Sequence, residues 1–339
     1  CHKAGGGRVI VPAGDYLIEG PLLLKSNVNF HLQEEAYLKF GINPEDYLTG
    51  SPEFNGCVRV RWEGLWCYNY SPIIYAWKEK NIAITGKGTI DGQTDKFWSQ
   101  WYIKKLHQPD RLSLRKMGMD MVPVEKRIFG DGHHLAPGTI ELYHCQNVLI
   151  EGITTRMPLE RTIHPTFCDN VIVRNVHIQA GILKARNDIF NGEHNGVSVG
   201  SDMSGGVRNI FVYDCQFGID FQQQYVFNAK SNSDRGSIIE NIYFKDITVG
   251  SCKQLIRMEM EYKGVPYDSV EHPFPPIYRQ MHFENINCGN VSQTAISIVG
   301  LEQQFIEDIY LNNFSIKDSK IDFNLEFVKS IYLNIVTIH

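Results

Sequence analysis

One short phrase recurs along the chain: an asparagine, then alternating apolar residues, then a polar or glycine turn. It stands as Asn81-Ile-Ala-Ile-Thr-Gly86, Asn147-Val-Leu-Ile-Glu-Gly152, Asn170-Val-Ile-Val-Arg-Asn175, Asn209-Ile-Phe-Val-Tyr-Asp214 and Asn241-Ile-Tyr-Phe-Lys-Asp246. Degenerate copies follow at Ile309-Tyr-Leu-Asn-Asn313 and Ile331-Tyr-Leu-Asn-Ile335. Alternation with a period of two predicts a short strand in each phrase. The first tight interval, Asn147 to Asn170, is 23 residues. Strands recurring at such a period, with almost no helical pattern between them, predict a solenoid whose coils bury their inward side chains by stacking. The repeated asparagine suits a corner, because it tolerates the left-handed backbone region and its side chain can bond the backbone of the next coil. A β-sandwich would not repeat one phrase in one register. The pattern therefore predicts an all-β fold, a parallel β-helix forming one domain over residues 1–339.

The rhythm breaks twice. Residues 41–75 and 93–138 are long, aromatic and charged, and carry Trp62, Trp66, Trp98 and Trp101. Loops of this length are usually functional or disordered, and the aromatic content predicts that they pack or face a ligand. A helical turn is expected over 95–106, and the strip 104–127 is rich in bases. Cys1-His-Lys-Ala-Gly-Gly-Gly reads as the end of a helix running into a glycine stop, an incomplete N-terminal cap.

Composition narrows the classes. The 339 residues are 43% hydrophobic and 21% charged, with a formal net charge of −5. That is too apolar for a disordered chain. No window approaches the ~18 consecutive apolar residues of a membrane span. The mild acidity argues against nucleic acid as a partner, since such proteins carry a basic stripe. None of the eight cysteines forms a Cys-x-x-Cys pair, so a zinc ribbon is not expected. Cys57 and Cys67 either bridge across a loop or stand as buried thiols. Cys145 and Cys168 hold the same place in successive coils, two residues before the asparagine, and read as an inward packing ladder.

Several motifs resemble a known family. Ala4-Gly-Gly-Gly-Arg-Val-Ile-Val-Pro-Ala-Gly-Asp-Tyr16, Ile84-Thr-Gly-Lys-Gly-Thr-Ile-Asp-Gly92, Ile163-His-Pro-Thr-Phe-Cys-Asp-Asn-Val171 and Gly200-Ser-Asp-Met-Ser-Gly-Gly-Val-Arg-Asn209 are similar to signatures of the polygalacturonases, glycoside hydrolase family 28. Arg61-Trp-Glu-Gly64 and Tyr68-Asn-Tyr-Ser-Pro-Ile73 resemble its bacterial exo-acting branch. The resemblance covers nearly the whole chain. It implies a right-handed single-stranded parallel β-helix that cleaves α-linked galacturonide in pectin, with no metal or organic cofactor, in a secreted or periplasmic bacterial setting.

The resemblance weakens at the chemistry. The family inverts, and inverting enzymes hold two carboxyl groups roughly 6.5–9.5 Å apart with a water between. Its Asn-x-Asp strand and Asp-Asp pair are both missing, and no Asp-Asp dipeptide occurs in the chain. The interval up to His194 is shorter than the family's by one to two coils of roughly 20–25 residues. The candidate catalytic residues are therefore His194, placed like the histidine of the family's Gly-His-Gly; Asp202, in the Gly-Ser-Asp-Met-Ser-Gly-Gly motif; and Asp188, a stand-in acid. The candidate substrate-binding residues are Lys230 and Asn228, standing where the family has Arg-Ile-Lys, and Arg61 and Glu63 of the long loop. Asn228 in place of arginine removes a bidentate carboxylate clamp that lysine alone does not supply. Arg61, Arg127 and Lys230 are the cations available for an anionic polymer. His133, His134 and His164 read as structural; neighbours on a strand point to opposite faces, which speaks against a shared metal.

Three functions compete: hydrolysis of pectic galacturonide, non-catalytic binding of acidic polysaccharide, and a calcium-dependent lyase reaction. The last ranks low because calcium needs several clustered carboxylates.

Overall fold

The computed structural model describes residues 1–159, 161–179, 195–201, 203, 205–219, 222–233, 235–262 and 274–339. Two compact units make up the chain: 1–171 with 178–191, and 172–177 with 192–339.

In the first unit the coils contribute strands to three parallel rows. One row runs Gly7–Val11, Val28–Leu32, Lys80–Gly86, Gln146–Glu151. The next runs Gly14–Ile18, Ala36–Phe40, Thr89–Asp91, Thr154–Arg156. The third runs Leu22–Leu23, Ile74–Trp77, Ile140–Tyr143, Ile163–Thr166. Alternation sends one set of side chains inward, so that Phe30, Ile84 and Ile150 stack in register and are buried. Each such side chain contributes roughly 1.5–3 kcal/mol over an exposed one.

The corners follow the repeated asparagine. Asn27, Asn81, Asn147 and Asn170 all have positive φ, between 54° and 64°. The side-chain bond differs from the expected one. Nδ2 of Asn81, Asn147 and Asn170 each donates to Oδ1 of the asparagine one coil earlier, at 2.9 Å, rather than to backbone. In-register coils set equivalent side chains one strand spacing apart, about 4.8 Å, which an amide-to-amide bond spans.

The two breaks in rhythm fold onto the outside of this unit. Val58–Trp62 and Leu65–Asn69 form an antiparallel hairpin, extended in parallel by Ile128–Phe129. Helix α1 (Ser99–Ile103) lies within the predicted helical stretch; helix α2 (His107–Met119) was not foreseen. Only His107 and Leu114 of α2 are buried, so it carries no apolar stripe to read. Trp62 and Trp98 are buried, and Trp98 meets Tyr47 edge-on at 5.5 Å. Cys57 and Cys67 do not bridge: both are buried thiols, and burial pushes Cys57 up to about 11.

The second unit has longer strands. Val207–Phe217, Ile238–Glu259, Ile277–Val299, Ile309–Glu326 and Ile331–Ile338 pair in parallel in that order. Straight, the 22 residues of Ile238–Glu259 would span about 70 Å. Left-handed residues at Asn241 and Asp246, both φ 55°, turn the strand instead. Asn285 and Asn313 donate to Asp246 and Asn285 one coil earlier, at 2.6 and 2.8 Å. The last such corner is Ile335, φ 52°, a β-branched residue in a region that penalises it. Phe244 and Phe283 stack inward; Tyr243, His282, Tyr310 and Tyr332 stack outward at 4.6, 4.6 and 4.7 Å.

Candidate active site and polysaccharide-binding face

Outward residues of the third row in the first unit form a buried polar cluster. In Ile140-Glu-Leu-Tyr143, Ile140 and Leu142 point inward, which sends Glu141 and Tyr143 outward. The hairpin then covers them. The Arg61 amide donates to the Tyr143 hydroxyl at 3.0 Å, Tyr75 donates to the Arg59 carbonyl at 2.8 Å, and Trp62 Nε1 donates to the Ala136 carbonyl at 3.3 Å. Glu141 is left 1% exposed. Arg161 Nε reaches its carboxylate at 2.8 Å, the Tyr143 hydroxyl donates at 2.6 Å, and His164 Nδ1 stands 3.6 Å away. Gly138 makes this approach possible, since a Cβ there would lie 2.3 Å from Glu141 Oε1.

Burial alone would raise the pKa of Glu141. The Arg161 charge, together with His164 and the Tyr143 hydroxyl, overcomes that and lowers it to about 2. Burial lowers His164 below the ordinary imidazole value, against the pull of Glu141. This cluster is charged but closed. It orients Arg161 and His164 and does not itself offer an acid to a substrate.

In the second unit a polar row runs across parallel strands. Ser198, Asn228, Arg257, Ser297 and Asn324 are register partners from strand to strand. Arg257 Nη1 donates to Asn228 Oδ1 at 3.2 Å and pairs closely with Glu259. The Arg257 guanidinium lies over Tyr225, 4.9 Å from the ring centre, and Lys230 Nζ lies 4.6 Å over Tyr262. Lys230 sits in register with Gly200 and Glu259 and makes no ion pair among the described residues. Arg257, Glu259 and Lys230 are partly exposed. Two arginine or lysine cations over aromatic rings, beside amide and hydroxyl groups, suit an anionic sugar.

The structure places the other sequence candidates as follows. Glu63, at the hairpin turn, is held by Arg111 at 2.8 Å and Arg115 at 2.6 Å, both from α2. Arg61 donates through Nε to the Gly64 carbonyl and stacks on Phe167. Arg127 donates to the carbonyls of Val122 and Trp66. His133 and the His134 amide both bind Asp110, at 2.7 and 2.6 Å. Lys230 and Asn228 lie together on one strand; Arg61 and Glu63 lie together on the hairpin. His194, Asp202 and Asp188 lie outside the described residues. Arg257 and Glu259 were not singled out from sequence, and neither was Glu141. Arg257 carried one signal, its alternation with apolar residues in Leu255-Ile-Arg-Met258. No group of three metal-binding side chains occurs among the described residues.

Three rows of parallel strands, stacked coil on coil, define the right-handed parallel β-helix of the pectin-lyase-like class. Comparison with known proteins makes the lineage specific. The chain is 30% identical to the hyperthermoactive exopolygalacturonase of Thermotoga maritima, covering 98% of this chain and 85% of that one with a TM-score of 0.69. The fold is shared with the family 28 exopolygalacturonase of Yersinia enterocolitica (17% identity, 97% and 70% coverage, TM-score 0.51). A probable polygalacturonase of Vitis vinifera is 21% identical over 92% of this chain and 67% of that protein. No family model matches. The chain belongs to the polygalacturonase family of glycoside hydrolases.

Proposed function

We propose that this protein hydrolyses α-linked galacturonide bonds of pectin, releasing sugar from chain ends. The observation that carries this reading is the 30% identity to an exopolygalacturonase across 98% of the chain. Arg257 and Lys230 support it, because each galacturonate unit carries a carboxylate for such cations to hold, while Asn228 is buried beneath Arg257 and bonds it. Water attacks the anomeric carbon with one carboxylate as base while a second protonates the leaving oxygen. Asp202 and Asp188 are the carboxylates proposed for these roles, and His194 is proposed to touch the sugar. The polymer is too large to enter a cell, so the protein works in the periplasm or outside.

A second reading has its own support: the protein binds acidic polysaccharide without cleaving it. The carboxylates of the two polar clusters, Glu141 and Glu259, are each committed to an arginine, and no Asp-Asp dipeptide exists. Reducing-end release from polygalacturonate, run with and without EDTA, separates the readings. Release that survives EDTA, yields small products and disappears in Asp202→Asn or Asp188→Asn supports exo-hydrolysis. Retention on the polymer with no release supports the binding reading. Loss of release in EDTA would instead return the calcium-dependent lyase.

A further inference from the structure

Two cysteines of the second unit meet inside the coil stack. Cys252 and Cys288 are 0% and 5% exposed, and their sulfurs lie 3.9 Å apart. They come from the neighbouring strands Ile238–Glu259 and Ile277–Val299, 36 residues apart in the chain. Register puts Cys288 opposite Val249 and Cys252 opposite Val291, so the two thiols flank one corner of adjacent coils from either side. Glycines let the backbones come close there. A Cβ at Gly289 would lie 2.3 Å from the Gly250 carbonyl oxygen, and one at Gly250 would lie 2.4 Å from that of Gly218.

Other core cysteines have backbone acceptors. Cys145 and Cys168 also touch between coils, but their thiols donate to the carbonyls of Tyr143 and Leu142, at 3.4 and 3.2 Å. Cys215 donates to the Tyr213 carbonyl at 3.2 Å. Cys252 and Cys288 instead share a thiol-to-thiol contact, and sulfur is a weak donor and a weak acceptor. Disulfide sulfurs stand about 2 Å apart, a distance that side-chain rotation reaches from contact. The hydrogen bond to Cys288, and then burial, hold the Cys252 thiol well above the ordinary thiol value. The thiolate is the reactive form, so exchange needs these coils to open to solvent.

We propose that Cys252 and Cys288 are a disulfide-forming site that staples two coils of the second unit in an oxidising compartment. The oxidant is itself a disulfide, of a small molecule or a protein. One cysteine thiolate attacks a sulfur of that disulfide and expels a thiolate. The second cysteine thiolate then displaces the half that remains attached. One sulfur–sulfur bond forms in the protein, the oxidant leaves as two thiols, and the two cysteine protons end on them. The closed loop contains Arg257 and Glu259, so the staple also fixes the coil that carries them. It stabilises by narrowing the unfolded ensemble over those 36 residues. A secreted or periplasmic setting supplies such oxidants, but the site stands on its geometry and not on the function proposed above.

The test holds the folded full chain overnight in oxidised and reduced glutathione, with urea below the unfolding midpoint so that coils open locally. The chain is then unfolded, alkylated without reductant and digested with trypsin. Peptides 246–253 and 280–317 carry one cysteine each. They are expected to be joined, with a mass about 2 Da below their sum, and to separate on reduction. The thermal midpoint of the oxidised protein should fall by about 5 °C or more on reduction. That fall should vanish in Cys252→Ala and in Cys288→Ala. Full alkylation of both peptides overturns the proposal. So does a joined pair of Cys145 and Cys168 in their place, or a midpoint indifferent to reductant. The peptide map uses the parent alone, so a variant that fails to fold leaves the test intact.

Discussion

Two of the arginine–glutamate pairs, one from each unit, have opposite consequences. Glu141 and Arg161 lie under the 58–69 hairpin, and the carboxylate side chain is 1% exposed. Glu259 and Arg257 have side chains 26% and 20% exposed, beside Asn228 and two aromatic rings. The chemistry is the same; the covering differs. Buried, the pair is a structural unit that loses much if one partner goes. With its carboxylate partly open to solvent, the second pair adds less stability than the sealed one and leaves cationic surface for a ligand. What surrounds a pair, rather than its composition, decides which role it takes.

The sharpest way to break the comparison is Glu141→Gln. It removes the buried carboxylate that Arg161, His164 and Tyr143 converge on, and the expected loss is about 3–5 kcal/mol in urea unfolding. A loss under about 1 kcal/mol would mean the hairpin does not seal the cluster.

Acid should act through the same residue. The folded pKa of Glu141, about 2, lies below its ordinary value of 4.5, so the folded state binds fewer protons between those values. The stability it confers is present above pH 4.5 and is lost as pH falls towards 2, on the order of 3 kcal/mol in total. Urea midpoints taken across that range should fall in the parent. In a folded Glu141→Gln they should lose this part of their slope.

The open pair predicts a different readout. Arg257→Gln should leave unfolding free energy within about 1 kcal/mol of the parent and raise the KM for polygalacturonate about tenfold, as expected for one lost charge-assisted bond. A large stability loss with unchanged KM would make the two pairs alike.

The smallest expected effect separates the frame of the second unit from its face. Ile335 occupies a left-handed corner that Asn285 and Asn313 fill in the preceding coils. Ile335→Asn should raise stability by about 1 kcal/mol, seen as a higher thermal midpoint, with KM unchanged.

Much of the frame could be read from the residues. The recurring asparagine marked the corners because few other residues accept that backbone region, and alternation marked which side chains stack inward. What the asparagine side chain bonds could not be read, since a side-chain ladder exists only once coils stand in register. Lys230 and Asn228 were found because they sit in a short local motif. Arg257 is 27 residues further on than Lys230, and strand register alone brings it to Asn228. Helix α2 escaped notice because it buries too little to leave an apolar stripe.

The sequence by itself determined the coil: its strands, its left-handed corners, its inward apolar stacks and its family. These depend on residues close in the chain, or repeated at one period, so local physics suffices. Only the tertiary structure decided that the 58–69 hairpin folds over Glu141 and Tyr143, that Glu63 is taken by Arg111 and Arg115, and that Arg59 lies over two tryptophan rings that meet edge-on. Those outcomes depend on how a long, aperiodic segment docks against distant coils. Docking sets burial, and burial sets whether a charge is structural or available.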